Sequence, residues 1–318
     1  MDKQSIIETK TQLIEYFQDK EKNKKDWMIG TEHEKFIFSL KNFHSVDYEG
    51  ENGIEKLLLI LEKNSGWKAV YENKNIIGLI ADNKSSISLE PGGQLELSGA
   101  PLKNLHMTCE ETGTHLKELR KALLGLDLGM AGFGFHPISA RENSSFMPKG
   151  RYEIMKKWMP KVGSMGLDMM LRTCTIQVNL DYSNEIDMAK KFKTALTLQP
   201  IITALFANSP FYEGKPSNFL SLRTEVWRNT DPSRCGVPTC IFDNNFGYEM
   251  WVDYLLNVPM YFIYRDSHYH DVAGSSFKDF LNGKLKNFEG VIPTIKDWDD
   301  HMSVAFTDVR LKGYLEMR

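Results

Sequence analysis

Two short acidic segments carry the residues whose types and spacing could do chemistry. The first contains Glu32 and Glu34, and the second contains Glu90, Gln94 and Glu96. Both segments have strand character, and successive side chains of a β-strand point to opposite faces. Glu32 and Glu34 therefore share one face, as do Gln94 and Glu96. Acidic faces of this kind would make poor core.

These carboxylates suggest either a metal site or a solvated surface. Buried carboxylates are rare unless they are paired or bound to a metal, because desolvating the charged form is costly. Several of them close together raise one another's pKa unless cations keep them ionised. Ligands that are all oxygen suit Mg2+ or Mn2+, which also bind substrate phosphates. The alternative is a solvated strand face that forms salt bridges with Lys35 and other lysines.

A second polar row and an arginine-rich stretch follow later in the chain. Residues 174–181 alternate as a strand, with Gln177 and Asn179 on one side. The loop-prone stretch 221–231 then carries three more candidates, and a fourth comes soon after it: Arg223, Trp227, Arg228 and Arg234. Guanidinium groups pair bidentately with carboxylate or phosphate, so this stretch could be an anion clamp. Surface salt bridges are the alternative.

Histidines and cysteines offer weaker candidates. His268 and His270 could place two imidazoles on one strand face, but no third metal ligand is evident nearby. Cys235 and Cys240 lack the second ligand pair of a zinc site, which favours reduced thiols of a cytosolic protein.

Length, charge and hydropathy limit the possible classes. The 318 residues can bury a large core, and neither a linker nor a low-complexity run divides them, so we expect one domain. A net charge of -3 gives no sign of a nucleic-acid partner. No apolar run approaches the length of a membrane span, and the first residues lack a signal peptide. These features predict a cytoplasmic protein without a membrane partner.

The elements that position these residues can be predicted from periodicity. A capping box at Ser5–Glu8 predicts a helix to about Lys22, and a second helix follows Gly53. Four strands are predicted at 67–71, 76–81, 85–89 and 94–98, with connections too short for crossover helices, so they form an antiparallel meander. Later predictions are a helix at 101–126, a strand at 129–135, a helix at 152–158 and a long helix from Glu185, bent or broken near Pro200.

Six motifs together resemble one family, the plant and alphaproteobacterial type of glutamate-cysteine ligase. They are GTEHEKF at 30–36, SISLEPGGQLELSGAP at 86–101, QVNLDY at 177–182, FANSPF at 206–211, WRNTDPSRCG at 227–236 and RLKGYLEMR at 310–318. They span nearly the whole chain in the expected order. The resemblance implies a fold of the glutamine-synthetase-like superfamily: α+β, with a curved antiparallel sheet that carries the active site and helices packed outside.

The resemblance also implies an activity. Such an enzyme joins the γ-carboxylate of L-glutamate to the amine of L-cysteine with ATP, through γ-glutamyl phosphate, in the first step of glutathione synthesis. It implies Mg2+ as cofactor, with Mn2+ possible, and ATP as co-substrate. The expected partners are the small molecules glutamate, cysteine and ATP, and the expected assembly is a monomer or a homodimer.

By motif position the resemblance assigns site residues. Glu32, Glu34, Glu90, Glu96 and Glu316 match the metal ligands, and Gln177 and Asn179 match the polar row that faces metal and nucleotide. Arg223 and Arg318 match arginines that hold glutamate and the transferring phosphate, and Trp227, Arg228 and Arg234 resemble their neighbours in the same substrate loop.

One departure from the family pattern concerns the end of the chain. Family members continue beyond the YLEMR motif into a further helical region, whereas this sequence ends at Arg318. We therefore expect residues 1–318 to form a single catalytic domain without that region, with a terminal strand that is poorly held. Two alternatives are a ligase with another amine acceptor and a silent remnant that binds metal and nucleotide.

Overall fold

The structure, a computed structural model, describes residues 2–318 as a mixture of helices and strands. The α-helices are α1 (Lys10–Gln18), α2 (Ile54–Ser65), α3 (Leu105–Leu123), α4 (Gly150–Val162), α5 (Gly166–Arg172), α6 (Glu185–Leu205), α7 (Leu222–Arg228), α8 (Tyr248–Asn257), α9 (Phe277–Leu281) and α10 (Ile295–Met302). The strands are β1 (Ile29–Ser39), β2 (Lys68–Glu72), β3 (Asn75–Ile80), β4 (Ser86–Leu89), β5 (Leu95–Ser98), β6 (Leu128–Ala131), β7 (Ile176–Leu180), β8 (Phe211–Tyr212), β9 (Lys215–Pro216), β10 (Cys235–Gly236), β11 (Phe262–Arg265), β12 (His268–Asp271), β13 (Phe306–Thr307), β14 (Val309–Leu311) and β15 (Leu315–Met317).

One large sheet organises the molecule. Nine strands of the described chain form it in the order β14-β15-β7-β1-β5-β4-β3-β2, and β6 pairs with β1. All of its pairings are antiparallel. Because β2, β3, β4 and β5 are consecutive neighbours, the predicted meander is confirmed. The large antiparallel sheet with outer helices also confirms the α+β class.

Apolar side chains form two buried clusters. One joins α2, α3 and α4 to β3, β4 and β5, and it includes Leu57, Leu79 and Leu97. The other joins α1, α6, α8 and α10 to β14 and β15, and it includes Phe192 and Trp251. Burial of this apolar surface holds the helices against the sheet and so fixes the strands that carry polar residues.

The first helix begins at Lys10, later than the predicted start at Ser5. The preceding residues run extended, because the N–H of Ile7 donates to the carbonyl oxygen of Pro293 (2.8 Å). Thr9 provides the N-cap of α1. A pairing with residues distant in sequence therefore displaced the local capping signal.

Of the two alternatives predicted at Pro200, a bend or a break, the break is wrong, because α6 continues past Pro200 to Leu205. Proline removes one helix hydrogen bond. The buried face of α6, with Met188, Phe192 and Leu196, packs in the core, and this packing outweighs the lost bond.

The arginine-rich stretch is a helix, not the predicted loop. Leu222 and Val226 of α7 lie four residues apart and are both buried, which is the spacing of one helix face. Val226 is completely enclosed. The polar and charged residues around this pair concealed the apolar face in the sequence.

Strand β15 lies inside the sheet, between β14 and β7. The N–H of Arg318 donates to the carbonyl oxygen of Asp308 (3.0 Å), and Gln199 Nε2 donates to the carbonyl oxygen of Arg318 (3.2 Å). The prediction of a poorly held terminal strand is therefore wrong in this structure, because β15 has a partner on each side.

A helix that crosses a bilayer must be both long and apolar. Within residues 2–318, no helix combines the length and the apolar composition that crossing a membrane requires.

The turn between β4 and β5 packs closely against α5, which generates a stability prediction. A Cβ on Gly92 would lie closer than 3.0 Å to backbone atoms of Leu171. We expect Gly92→Ala to lower the free energy of unfolding by about 1–3 kcal/mol through overpacking. Gly113→Ala is the control: it lies inside α3 with nothing within 4 Å of the added Cβ, and it should raise stability by about 0.5–1 kcal/mol. Urea denaturation measures both, and equal effects would contradict the close approach at Gly92.

Candidate active site

A cavity of about 630 Å³ opens against the polar face of the large sheet. Its walls come from β1, β4, β5, β7 and β15 on the sheet side, and from α4, α7 and the segments before β13 and after β14 on the other. We call it the central cavity. All five acidic residues assigned by the motifs line it, together with Gln177, Asn179, Arg223, Trp227 and Arg318.

Strand register brings these residues together. Glu34 of β1 stands opposite Glu96 of β5, and Glu32 stands opposite Gln177 of β7. Farther along, Asn179 of β7 stands opposite Glu316 of β15. Residues opposite one another in antiparallel strands point to the same face. The four neighbouring strands β15, β7, β1 and β5 therefore form one continuous polar surface.

Each central carboxylate is held by one neighbouring donor. Asn179 Nδ2 donates to Glu32 Oε1 (2.9 Å), the N–H of Thr175 donates to Glu34 Oε2 (2.9 Å), and Ser98 Oγ donates to Glu96 Oε1 (2.6 Å). In the described chain, the amide oxygens of Gln177 and Asn179 are buried without a hydrogen-bond donor. These contacts orient the carboxylates and leave oxygen acceptors in the cavity wall.

Burial and mutual repulsion change the acidity of these carboxyls. Burial, followed by the charges of Glu316 and Glu96, raises the pKa of Glu32 to about 6. Burial and the charge of Glu90 raise the pKa of Glu34 well above its usual range, and the same two causes raise the pKa of Glu96. The ionised forms are thus disfavoured unless a cation lies among them.

Glu316 has a different environment, because three cations surround it. Its carboxylate lies 2.7 Å from Arg310 Nη2, 3.3 Å from Lys312 Nζ and 3.2 Å from Arg318 Nη1. Burial by itself would raise the pKa of Glu316, but the charges of these three neighbours hold it below its usual value. Glu316 is the centre of an ion-pair cluster at the end of the acidic row.

Arg223 and Arg318 lie beside the acidic row, on the side of α7. Their guanidinium carbons are 5.7 Å and 5.3 Å from the centre of the Trp227 ring. Burial and the nearby charge of Arg318 lower the pKa of Arg223, although the charge of Glu34 opposes this. In the described residues Arg223 Nε is buried without an acceptor. This nitrogen can bind an anion without losing another bond.

The structure does not bring Arg228 or Arg234 to the central cavity. The side chain of Arg228 is 77% exposed and lies 3.8 Å from Glu225. Arg234 is fully buried, where Nε donates to Asp231 Oδ2 (2.6 Å) and the guanidinium covers the Tyr261 ring. The helical turn of α7 explains the outward position of Arg228. We correct both assignments: one arginine is a surface residue and the other supports the core.

Among the cavity residues that the sequence did not single out are the cations Arg151, Arg310 and Lys312. Arg151 lines the cavity from α4, and Arg310 and Lys312 line it from the β14–β15 hairpin. Arg310 pairs directly with Glu316 in that hairpin. The KGY turn between two alternating segments was a signal for this pairing, whereas nothing near Arg151 pointed to the site.

His268 and His270 of β12 contact different neighbours. His268 is exposed, and its Nδ1 lies 2.7 Å from the carbonyl oxygen of Asp266, while His270 packs on the Phe288 ring. Across residues 2–318, no three His, Cys, Asp or Glu side chains already stand close enough to hold a metal ion.

Comparison with known proteins decides the family. The family model described as Glutamate-cysteine ligase family 2 (GCS2) matches residues 28–318. The chain belongs to this family. It is 53% identical over 310 residues to the chloroplastic glutamate–cysteine ligase of Medicago truncatula, covering 98% of this chain and 60% of the relative. For the chloroplastic enzyme of Nicotiana tabacum the values are 53%, 98% and 59%, and for ligase A of Oryza sativa subsp. japonica they are 51%, 98% and 62%.

These relatives limit and correct two expectations. The chain spans about three-fifths of the length of the curated relatives it matches. All three are named as chloroplastic proteins, and this finding contradicts the expected cytoplasmic location. The low cysteine count and the first residues had suggested that location only by default.

The oxygen donors of the central cavity are the kind of ligand that a hard cation prefers. The carboxylate and amide oxygens of the cavity wall are ligands that Mg2+ accepts. Burial and the charge of Glu90 raise the pKa of Glu34, so a cation among the acids would favour the ionised form. Mg2+ commonly binds through one or two carboxylates together with substrate phosphates, which does not require a preformed group of three.

The raised pKa of Glu32 predicts a pH dependence of stability. Its folded value of about 6 exceeds that of an exposed glutamate, so the folded state holds the proton more tightly and stability falls as pH rises through about 6. In EDTA, the wild-type chain should lose stability between pH 5 and pH 7. We expect the loss for Glu32→Gln over the same range to be smaller by about 1 kcal/mol. Chemical denaturation at several pH values measures this. Exposed Glu142→Gln is the control, and matching profiles for the two variants would refute the interpretation.

Proposed function

We propose that this chain carries the ligase chemistry of its family: joining the γ-carboxylate of L-glutamate to the amine of L-cysteine with ATP, the first step of glutathione synthesis. The observation that carries the proposal is the central cavity, in which an acidic row stands beside two arginines. Family membership and the names of the relatives support the same activity. Two anions, a carboxylate and a nucleotide phosphate, must meet, and the cavity offers ligands for both.

The reaction proceeds in two displacements. An oxygen of the glutamate γ-carboxylate attacks the γ-phosphorus of ATP, forming γ-glutamyl phosphate and releasing ADP. The neutral amine of cysteine then attacks the activated carbonyl carbon, phosphate leaves, and the amine proton is lost. Arg223 and Arg318 hold the glutamate and the transferring phosphoryl group, because guanidinium donors aimed at developing negative charge lower the barrier.

The acidic row serves the nucleotide in this proposal. Glu32, Glu34, Glu90 and Glu96 would hold Mg2+, with Mn2+ able to replace it. Glu316, the fifth ligand expected from the motifs, is already paired with Arg310, Lys312 and Arg318 at the end of the acidic row. When bound, the cation neutralises phosphate charge and keeps the acids ionised. The free amide oxygens of Gln177 and Asn179 add two acceptors that could help to hold the cation, and the Trp227 ring packs beside Arg223 and Arg318.

We also propose that residues 1–318 fold as one domain. Strands from both ends of the chain lie in one sheet, with β2 at one edge and β14 at the other, so neither half can complete its pairing alone. The proposed assembly is a monomer or a homodimer, and light scattering of the purified chain distinguishes these states.

The activity is tested directly with ATP, Mg2+, L-glutamate and L-cysteine. We expect γ-glutamylcysteine and an equal amount of ADP, identified by mass spectrometry. Product with other amines but not with cysteine would support a related ligase with another acceptor. Binding of ATP and Mg2+ without ADP release would support the silent remnant and overturn the proposal.

Two arginines of α7 provide a matched pair for the anion site. We expect Arg223→Ala to lower kcat/KM for glutamate by about 100-fold, because it removes a buried donor from the transferring anion. Arg228→Ala should change it by less than about twofold, because that side chain is exposed. Steady-state kinetics of both variants decide the matter. Equal losses would mean that α7 contributes to folding and not to anion binding.

A further inference from the structure

Arg310 is a buried cation at the end of the acidic row, and its role is not explained by the anion site. It lies on β14 opposite Glu316 of β15 and is only 5% exposed. Burying a guanidinium is costly unless its donors are satisfied. Its contacts therefore indicate what it does.

All five N–H groups of Arg310 can be assigned to protein acceptors. Nε and Nη2 donate to the carboxylate of Glu316 at 2.7–3.0 Å. Nη1 donates to the carbonyl oxygens of Ser303 (2.6 Å) and Ala305 (2.9 Å). Because a guanidinium has five donors, none is left for a substrate. Arg310 can therefore act only through the groups that it holds.

Glu316 connects Arg310 to a residue that does face the substrates. Its Oε1 accepts from both Arg310 Nη2 and Arg318 Nη1 (3.2 Å). The guanidinium of Arg318 lies against the rings of Trp227 and Phe306, at 5.3 Å and 5.6 Å from their centres. The carboxylate of Glu316 is thus shared by one arginine that is fixed and one that points into the cavity.

We propose that Arg310 is a positioning residue that fixes the carboxylate of Glu316 and, through it, the guanidinium of Arg318. The inference rests on the proposed function, in which Arg318 contacts the transferring phosphoryl group. A bidentate guanidinium sets both the place and the plane of a carboxylate, which a lysine ammonium cannot do. Displacing a reacting contact by about 1 Å can cost about 100-fold in rate, so precise placement of Arg318 is the function of the pair.

A double-mutant cycle tests the route from Arg310 to Arg318. We expect Arg310→Lys to lower kcat/KM about 10- to 100-fold in the wild-type background. In the Arg318→Ala background the same change should cost less than about twofold, because the group being positioned is gone. Losses of equal size in the two backgrounds would overturn the inference.

A second buried arginine is the matched control. Arg172 is fully buried on Asp168 and does not line the central cavity. Arg172→Lys should lower the melting temperature, and its effect on kcat/KM should be the same in both Arg318 backgrounds. The contradicting result is that Arg172→Lys proves non-additive with Arg318→Ala as well. The coupling measured for Arg310 would then reflect general destabilisation, and the inference would fail.

The second readout of the cycle is the binding of AMP-PNP, a non-hydrolysable ATP analogue, to each variant in the presence of Mg2+. Calorimetry gives the dissociation constant. This measurement remains possible where turnover falls below detection. If the wild-type chain makes no product, the proposed function fails, and the same cycle on the dissociation constant decides the role of Arg310 separately. Circular dichroism checks folding, and Arg310→Gln replaces Arg310→Lys if the latter does not fold. Additive effects on binding would also overturn the inference.

Discussion

The structure depends on the pairing of β1 with β5 on one side and β7 on the other. This pairing places carboxylates opposite one another on a sheet face that is largely closed to water, where like charges repel strongly. The raised pKa values of Glu32, Glu34 and Glu96 report that cost. Clustered negative charge of this kind lowers the stability of the folded state, and such clusters are typical of a functional site.

Two other features of the structure compensate for this unfavourable face: apolar packing holds the strands in register, and cations neutralise the charge at one end. Two apolar clusters hold the helices against the sheet, so that the strands keep their register although their polar faces repel. At the β15 end, the cations around Glu316 reverse the electrostatic balance and lower the pKa of that carboxyl. The central cavity therefore has a stretch in which burial and mutual repulsion raise the pKa of the carboxyls and a neighbouring stretch in which cations lower it. This asymmetry suits a nucleotide-metal complex at one end and bare anions at the other.

Several predictions failed where a local signal met a competing tertiary contact. Ser5 reads as a helix start, but its neighbours pair with residues near Pro293. Pro200 reads as a break, but α6 packs one face in the core and continues. The stretch around Arg223 reads as a loop, because only Leu222 and Val226 reveal the buried face of α7. In each place a few buried contacts outweighed a preference worth about 1–3 kcal/mol.

The sequence by itself determined the meander, the α+β class, the family motifs and the acidic row, because alternation along a strand places Glu32 and Glu34 on one face whatever surrounds them. It did not determine which arginines serve the site. Arg228 and Arg234 resemble Arg223 in type and lie near it in the sequence, yet the turn of α7 directs one to solvent and a core pocket encloses the other. The roles of Arg310 and Arg151 also emerged only from the fold. Strand pairing and helix packing join residues far apart in the chain, and local sequence carries no direct record of those contacts.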